Sequence, residues 1–339
     1  LGLGHAGNYD DGSSYSDAVW TNDSWQQTVM SYLDQDENPN VRAEKAHVVT
    51  PMMADVVAIQ SLYGAAKGGA TAGDTTYGVG SDLGNYLDGV FGSGAGSLSR
   101  NALTVFDEGG TDTFDFSNSG ADQVIRLSKG ALSSVHGQVD NLAIAGNTVI
   151  ERARGGSGDD SITGNGSGNV LKGNGGDDEV EGGGGEDSLY GGSGNDRLEG
   201  GSGSDGLRGG GGDDRLFGGS GADRLDGDAG KDRLYAGQDG SRDVFDFNSA
   251  KDSRGSSRDI LFDFDRGEDR IDLQGIDARE GGGNDAFRYS GTKAQAHSVW
   301  WSESDGDVVV SADVTGDRRV DFQVKLDDLT RLSSDDFLL

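Results

Sequence analysis

Residues 191–226 read GGSGNDRLE-GGSGSDGLR-GGGGDDRLF-GGSGADRLD, four consecutive copies of one nine-residue unit. The unit runs nine times without insertion, from Gly155 to Tyr235. Its first half is polar and glycine-rich, and its last three residues have the character of a short strand. The glycines permit turns with positive φ and let backbone carbonyls approach closely. The sixth position is an aspartate in eight copies: Asp160, Asp178, Asp187, Asp196, Asp205, Asp214, Asp223 and Asp232. Asn169 replaces it in the remaining copy. The eighth position is always aliphatic: Ile162, Leu171, Val180, Leu189, Leu198, Leu207, Leu216, Leu225 and Leu234. A turn of two units stacks these side chains inward, the only core so thin a solenoid can have. A disordered Gly/Ser/Asp linker shares the composition but has no reason to keep an aliphatic residue every nine positions.

This period matches the glycine/aspartate nonapeptide of calcium-binding parallel β-rolls. Carboxylate and carbonyl oxygens are hard ligands that suit Ca²⁺ better than zinc or copper. The repeat holds seventeen acidic and seven basic residues, a net charge of −10. Without cations its loops repel one another, so metal binding and folding are expected to be one event. Nine units with sites two units apart suggest about seven sites, Asn169 being the weak point.

With 339 residues there is room for two or three domains. A formal charge of −31 excludes a general nucleic-acid binder, which needs a basic stripe. There is no cysteine, hence no disulfide, and calcium takes over the stapling of an extracellular chain. No run of about 18 apolar residues marks a transmembrane helix. The sequence opens without methionine and without a basic-then-apolar signal, which reads as a fragment.

Leu1-Gly2-Leu3-Gly4-His5 resembles the second half of H-E-x-x-H-x-x-G-x-x-H, the zinc motif of metzincin proteases. Gly2 matches the turning glycine and His5 the third zinc ligand. The other two histidines and the general-base glutamate are expected in the six residues before Leu1. Thr28-Val29-Met30-Ser31-Tyr32 resembles the same superfamily's Met-turn. The resemblance makes Met30 the residue beneath the metal and Tyr32 the switchable ligand and oxyanion stabiliser. The sequence predicts a helix that Thr50 can cap, Pro51 suits in its first turn and Gly64 closes. That segment, PMMADVVAIQSLYG, resembles the last catalytic-domain helix of the serralysins, bacterial metzincins with a C-terminal calcium roll. Ala6 departs from the proline common after the third histidine, which bears on substrate preference.

The resemblance implies a mainly β fold. A C-terminal parallel β-roll at 155–247 is flanked by β-sandwich strands and preceded, at 1–66, by the C-terminal part of an α+β catalytic domain. Residues 67–154 alternate in short stretches such as Thr113-Phe114-Asp115-Phe116, read as antiparallel strands leading into the roll. Within them, Phe106 to Asp112 (FDEGGTD) resembles an extra calcium loop of the family, a plain turn being the alternative. Residues 248–339 read as the β-rich cap a solenoid needs at its open end. There, Asp313-Val314-Thr315-Gly316-Asp317 favours an exposed hairpin over a calcium loop. The ending Ser334-Asp335-Asp336-Phe337-Leu338-Leu339 resembles an uncleaved export signal of type I secretion machinery, or a final strand burying Phe337.

The function implied is a secreted zinc endopeptidase acting on polypeptide substrates. The chain as it stands holds one of three protein ligands that a catalytic zinc needs and is expected to be inactive alone. The competing reading is a non-enzymatic calcium-binding adhesin or surface protein with a degenerate protease end. A calcium-roll lipase needs a G-x-S-x-G elbow, and none is present.

Overall fold

The computed structural model describes residues 47–48, 71–81, 101–279 and 285–339. The zinc-motif and Met-turn residues Gly2, His5, Met30 and Tyr32 lie outside them, as does the expected helix after Thr50. Contacts divide the chain into two units, the first ending at Asn165 and the second running from Gly166 to Leu339. Among the described residues there is no α-helix; strands and one short 3-10 turn make up the regular structure.

The second unit holds most of the repeat. Its strands alternate between two sheets, so each strand pairs with the one two units further on. Ser188–Ser193 lies parallel to Val170–Gly175 and to Gly206–Gly211 in one sheet. Arg197–Ser202 lies parallel to Glu179–Gly184 and Arg215–Ser220 in the other. The register offset is one full turn, which places like on like. Leu171, Leu189, Leu207 and Leu225 form one inward column. Val180, Leu198, Leu216 and Leu234 form the other. All eight are buried. Only one inward residue per strand comes from the apolar half, so the core is two columns wide, and burial of those columns drives the stacking.

The strands are longer than the sequence suggests. They run six residues, from the seventh position through the first three of the next unit, because the parallel ladder continues through the glycines. Asn174 pairs with Gly192 and Gly183 with Gly201. At Gly201 and Gly203 φ is 106° and 137°, a region an L side chain rarely enters.

Parallel pairing also continues beyond the last nonapeptide. Val244–Asp246 pairs with Arg224–Ala229, and Arg270–Asp272 with Val244–Asp246. Ile260–Phe262 follows Arg233–Tyr235. Phe245, Leu261 and Ile271 take the inward places, all fully buried. Phe337–Leu338 adds the last strand of the first sheet, with Phe337 opposite Ile271. An antiparallel hairpin of Asp307–Ala312 and Phe322–Leu326, joined by Ser298–Ser304 and then by the short parallel edge strand Arg288–Tyr289, extends the other sheet. Shortening one of these inward residues is expected to cost about 0.5–1.5 kcal/mol. Ile271→Val should therefore lower the thermal midpoint of the folded chain by a few degrees, measured by circular dichroism.

In the first unit the strands also pair parallel, where alternation alone suggests antiparallel neighbours. Thr76–Gly78, Thr113–Asp115 and Arg152–Arg154 form one parallel set. Val124–Arg126 lies parallel to Ser161–Asn165. Among the described residues of this unit, Leu132–Ser133 runs antiparallel to its neighbour Leu142–Ile144, and Ser134 bridges antiparallel to Val124. The reason is topological: each strand is followed by a crossover that returns in the same direction, which period-two alternation does not record. Phe114, Phe116, Ile125, Leu127, Ile144 and Ile162 are fully buried here. Tyr77 meets Phe114 edge to face with ring centroids 5.9 Å apart.

Candidate calcium-binding ladder

The sixth-position side chains are all buried although all but one are acids. Their position follows from the strand: with the eighth residue inward, the sixth also turns inward, at the corner where the glycine half begins. There each carboxylate crosses to the preceding turn. Asp196 Oδ1 accepts the backbone N–H of Asp178 at 2.9 Å, and Asp205 Oδ1 that of Asp187 at 2.8 Å. Asp214, Asp223 and Asp232 accept from Asp196, Asp205 and Asp214 at 2.7, 2.9 and 2.8 Å. Asn169, the exception in the repeat, donates its backbone N–H to Asp187 Oδ1 at 2.6 Å, so the ladder runs past it. In the first unit Asp160 accepts from Gln123 and Gly156 at 2.8 and 2.6 Å.

Asp160 thus uses both oxygens, whereas from Asp187 to Asp232 only one oxygen of each rung is used. Oδ2 of Asp187, Asp196, Asp205, Asp214, Asp223 and Asp232 is buried without a hydrogen-bond partner. An unpartnered buried carboxylate oxygen is costly, and three in each of two columns call for a common kind of partner. Their surroundings say what kind. A methyl group on Gly200 would lie 2.5 Å from Asp205 Oδ2 and 2.6 Å from the carbonyl oxygen of Gly218. A methyl on Gly182 would lie 2.8 Å from the carbonyl oxygen of Gly200. Orphaned carboxylate oxygen and backbone carbonyl therefore converge where the unit keeps glycine. The donor set is oxygen only, since the repeat contains neither histidine nor cysteine. Such a set fits a hard divalent cation of calcium's size and flexibility. Among the described residues no three His, Cys, Asp or Glu side chains gather at one point. A cation held here draws on single carboxylates from successive turns and on main-chain oxygens.

Burial sets the electrostatics. It pushes Asp187 up to about 6, and Asp223 and Asp232 to about 7, with neighbouring carboxylates adding to the rise. Asp214 is pushed to about 8 by burial, then by the charges of Asp232, Asp196 and Asp213. Asp196 and Asp205 are raised for the same reasons. At neutral pH without a cation these groups are strained between holding a charge and binding a proton.

The ladder extends to residues that the nonapeptide period misses. Asp243 Oδ1 accepts from Asp223 N–H at 2.8 Å, Asp259 from Asp232 at 2.9 Å, and Asp269 from Asp243 at 2.9 Å. Asp259 Oδ2 is another orphan, and burial together with Asp232 pushes its carboxyl up to about 9. The signal is present in the sequence: Asp243-Val244-Phe245, Asp259-Ile260-Leu261 and Asp269-Arg270-Ile271 keep the unit's sixth, seventh and eighth places. Their glycine halves are replaced by longer loops, so the fixed period does not reach them.

Upstream, Phe106 to Asp112 places two acids in buried hydrogen-bonded positions. Asp107 accepts from Tyr77 Oη at 2.7 Å and from Gly109 N–H at 2.9 Å. Asp112 Oδ1 accepts from Thr75 N–H at 2.8 Å, leaving a buried, unpartnered Oδ2. Burial, with Asp107 and Glu151 nearby, pushes Asp112 to about 7. The Asp313 loop joins the two hairpin strands as expected, but Asp313 and Val314 are buried and only the loop's later residues are exposed. Asp313 accepts from Gly316 and Arg318 at 2.8 and 2.9 Å, and Asp321 from Val314 and Thr315 at 2.9 Å each.

Fold and ladder together define a parallel β-roll with buried acidic rungs. Residues 66–339 match the family model described as Peptidase M10 serralysin C terminal. The chain belongs to that family. It is 39% identical over 176 residues to Metallopeptidase AprA of Pseudomonas marginalis, covering 50% of this chain and 36% of the relative. It is 42% identical over 163 residues to Serralysin C of Dickeya chrysanthemi, covering 47% and 33%. With Serralysin of Proteus mirabilis it shares 40% over 173 residues, covering 50% and 34%. The matched region spans about a third of these relatives' length. Among solved structures, the AlgE6R3 subunit of the Azotobacter vinelandii mannuronan C5-epimerase matches with a TM-score of 0.26 at 22% identity. That match covers 54% of this chain and 78% of the other.

Proposed function

We propose that the chain is the calcium-folded C-terminal part of a secreted zinc endopeptidase of the serralysin type. The observation that supports it best is the two columns of buried aspartates, in which Asp187, Asp196, Asp205, Asp214, Asp223 and Asp232 each have one oxygen on the preceding turn and one left for a cation. The family match over residues 66–339 supplies the protease context. In this reading Asp160, Asp178, Asp187, Asp196, Asp205, Asp214, Asp223 and Asp232 hold calcium together with glycine carbonyls. Asn169 offers a neutral oxygen and a weaker rung. Asp112, Asp243 and Asp259 extend the set.

The catalytic assignments rest on the resemblance of the N-terminal residues. His5 would be one of three zinc ligands, Gly2 the turn before it, Met30 the residue beneath the metal and Tyr32 the oxyanion donor. Zinc, when bound, polarises the scissile carbonyl and lowers the pKa of a bound water. Polypeptides are the substrates, and the protein leaves the cell through type I secretion machinery. In a calcium-poor cytosol the repelling rungs keep the roll unfolded and exportable. Extracellular calcium, at the roughly 10⁻⁴–10⁻³ M typical of such modules, condenses it.

The test is to express the chain joined to its encoded upstream sequence and assay casein hydrolysis. Activity abolished by a zinc chelator and by His5→Ala supports the protease. An upstream sequence lacking His-Glu-x-x-His would contradict it and leave calcium binding as the function.

A further inference from the structure

The outer face of the second sheet carries two columns, from the seventh and ninth positions. Arg197, Arg215 and Arg233 stand in register on three successive strands. Beside them stand Glu199, Phe217, Tyr235 and Phe262, also in register. Like charges directly opposite one another in a sheet are destabilising, so this arginine column needs a counter-charge.

Elsewhere on the roll strands the chain provides one. Arg208 pairs with Asp226 and Asp228, and Arg224 with Asp246 and Asp272. Arg197 pairs with Glu199 at 2.6 Å and Glu179 at 3.6 Å. Arg215 and Arg233 have no carboxylate partner among the described residues, although the chain carries 59 acids against 28 bases. Arg215 is exposed and Arg233 half-buried.

The aromatic column fits the same chemistry. Phe217 stacks on Tyr235 at 4.6 Å and Tyr235 on Phe262 at 4.4 Å, with planes within 9°. Rings stacked face to face turn their edges to solvent, and the edge is the positive part of the ring quadrupole. Such a surface favours an anion and offers no flat platform for a sugar.

The kind of anion is indicated by the chain's own arrangement one rung earlier. The guanidinium of Arg197 lies 4.1 Å from the Phe217 ring centre while it pairs with Glu199, a glutamate on a β-strand. Arg215 and Arg233 hold the equivalent register positions, with Phe217 and Tyr235 standing where Arg197 has Glu199. We propose that this face, through Arg215 and Arg233, binds an acidic polypeptide segment in extended conformation. Its same-side carboxylates, about 7 Å apart, lie within the reach of two flexible arginines on adjacent strands. The proposal concerns the roll alone and needs no zinc centre, so its failure and that of the protease reading are separable.

The experiment is fluorescence anisotropy of a labelled Glu-Ala repeat peptide with the calcium-loaded chain at fixed calcium and moderate salt. Binding is expected, with a loss of about tenfold or more in R215Q/R233Q, as removal of charge-assisted hydrogen bonds entails. The equally charged control R126Q/R331Q should bind like the parent. Circular dichroism of each variant establishes that the roll is intact. No binding by the parent, equal binding by both double variants, or binding of a polyuronate in place of the peptide would overturn the proposal.

Discussion

In a calcium chelator, raising the pH from 5 to 8 is expected to unfold the roll. The sign follows from the direction in which burial moves the rungs. Burial raises the rung aspartates well above the carboxylate value of about 3.9 they have when unfolded. Asp187 rises to about 6, Asp223, Asp232 and Asp243 to about 7, and Asp214 to about 8. Between the unfolded and folded values the folded chain binds more protons, so stability falls as pH rises through that window. Below about pH 4 the penalty is absent, and above the highest folded value it is complete. A tenfold change in a group's proton affinity is worth about 1.4 kcal/mol, and several rungs act together against a total stability of about 5–15 kcal/mol. Far-UV circular dichroism against pH, in chelator and in millimolar calcium, is the measurement. The strand signal should fade between pH 6 and 8 only in chelator. Calcium displaces the rung protons, so its binding in this range should release protons and strengthen with pH.

Asp214→Asn is expected to act in opposite directions with and without calcium. The isosteric amide keeps an oxygen for the N–H of Asp196, a bond of 2.7 Å. It replaces the orphaned anionic Oδ2 with a neutral group. In chelator at pH 8 the variant should be the more stable chain, by about 1–3 kcal/mol, because a buried charge without a partner is gone. In calcium it should be the weaker one, with its folding midpoint moved at least about tenfold higher in calcium, since a charged ligand is lost. Loss of the strand signal with rising pH in chelator, later in the variant than in the parent, and the calcium midpoint of folding read the two effects. A variant destabilised equally in both would make Asp214 a structural hydrogen-bond acceptor and nothing more.

The roll was legible in the sequence because its physics is periodic. One aliphatic residue every nine positions can only be buried by stacking, and one buried acid every nine calls for a cation or a proton beside it. What lay beyond the period was less legible. Asp243, Asp259 and Asp269 continue the ladder at offsets of 20, 27 and 26 residues from Asp223, Asp232 and Asp243. No fixed window connects them, though the triplet of acid, any residue and apolar residue recurs at each. Parallel pairing around Thr113–Asp115 and Val124–Arg126 was hidden for another reason. Alternation records which face is buried and not the direction of the neighbour. The stacked Phe217, Tyr235 and Phe262 needed the register, since Phe262 joins from outside the repeat. His5, Met30 and Tyr32 rest on sequence resemblance, because a motif used once leaves no period.

The central claim is that the aspartate ladder couples the fold to calcium. It is tested most directly by titrating the chelator-treated chain with calcium at pH 7.5. Far-UV circular dichroism reports strand content, and equilibrium dialysis counts the ions bound at each point. The account requires strand signal and bound calcium to rise together and cooperatively, to several ions per chain, with magnesium failing to substitute. An identical strand spectrum with chelator and with saturating calcium would contradict it.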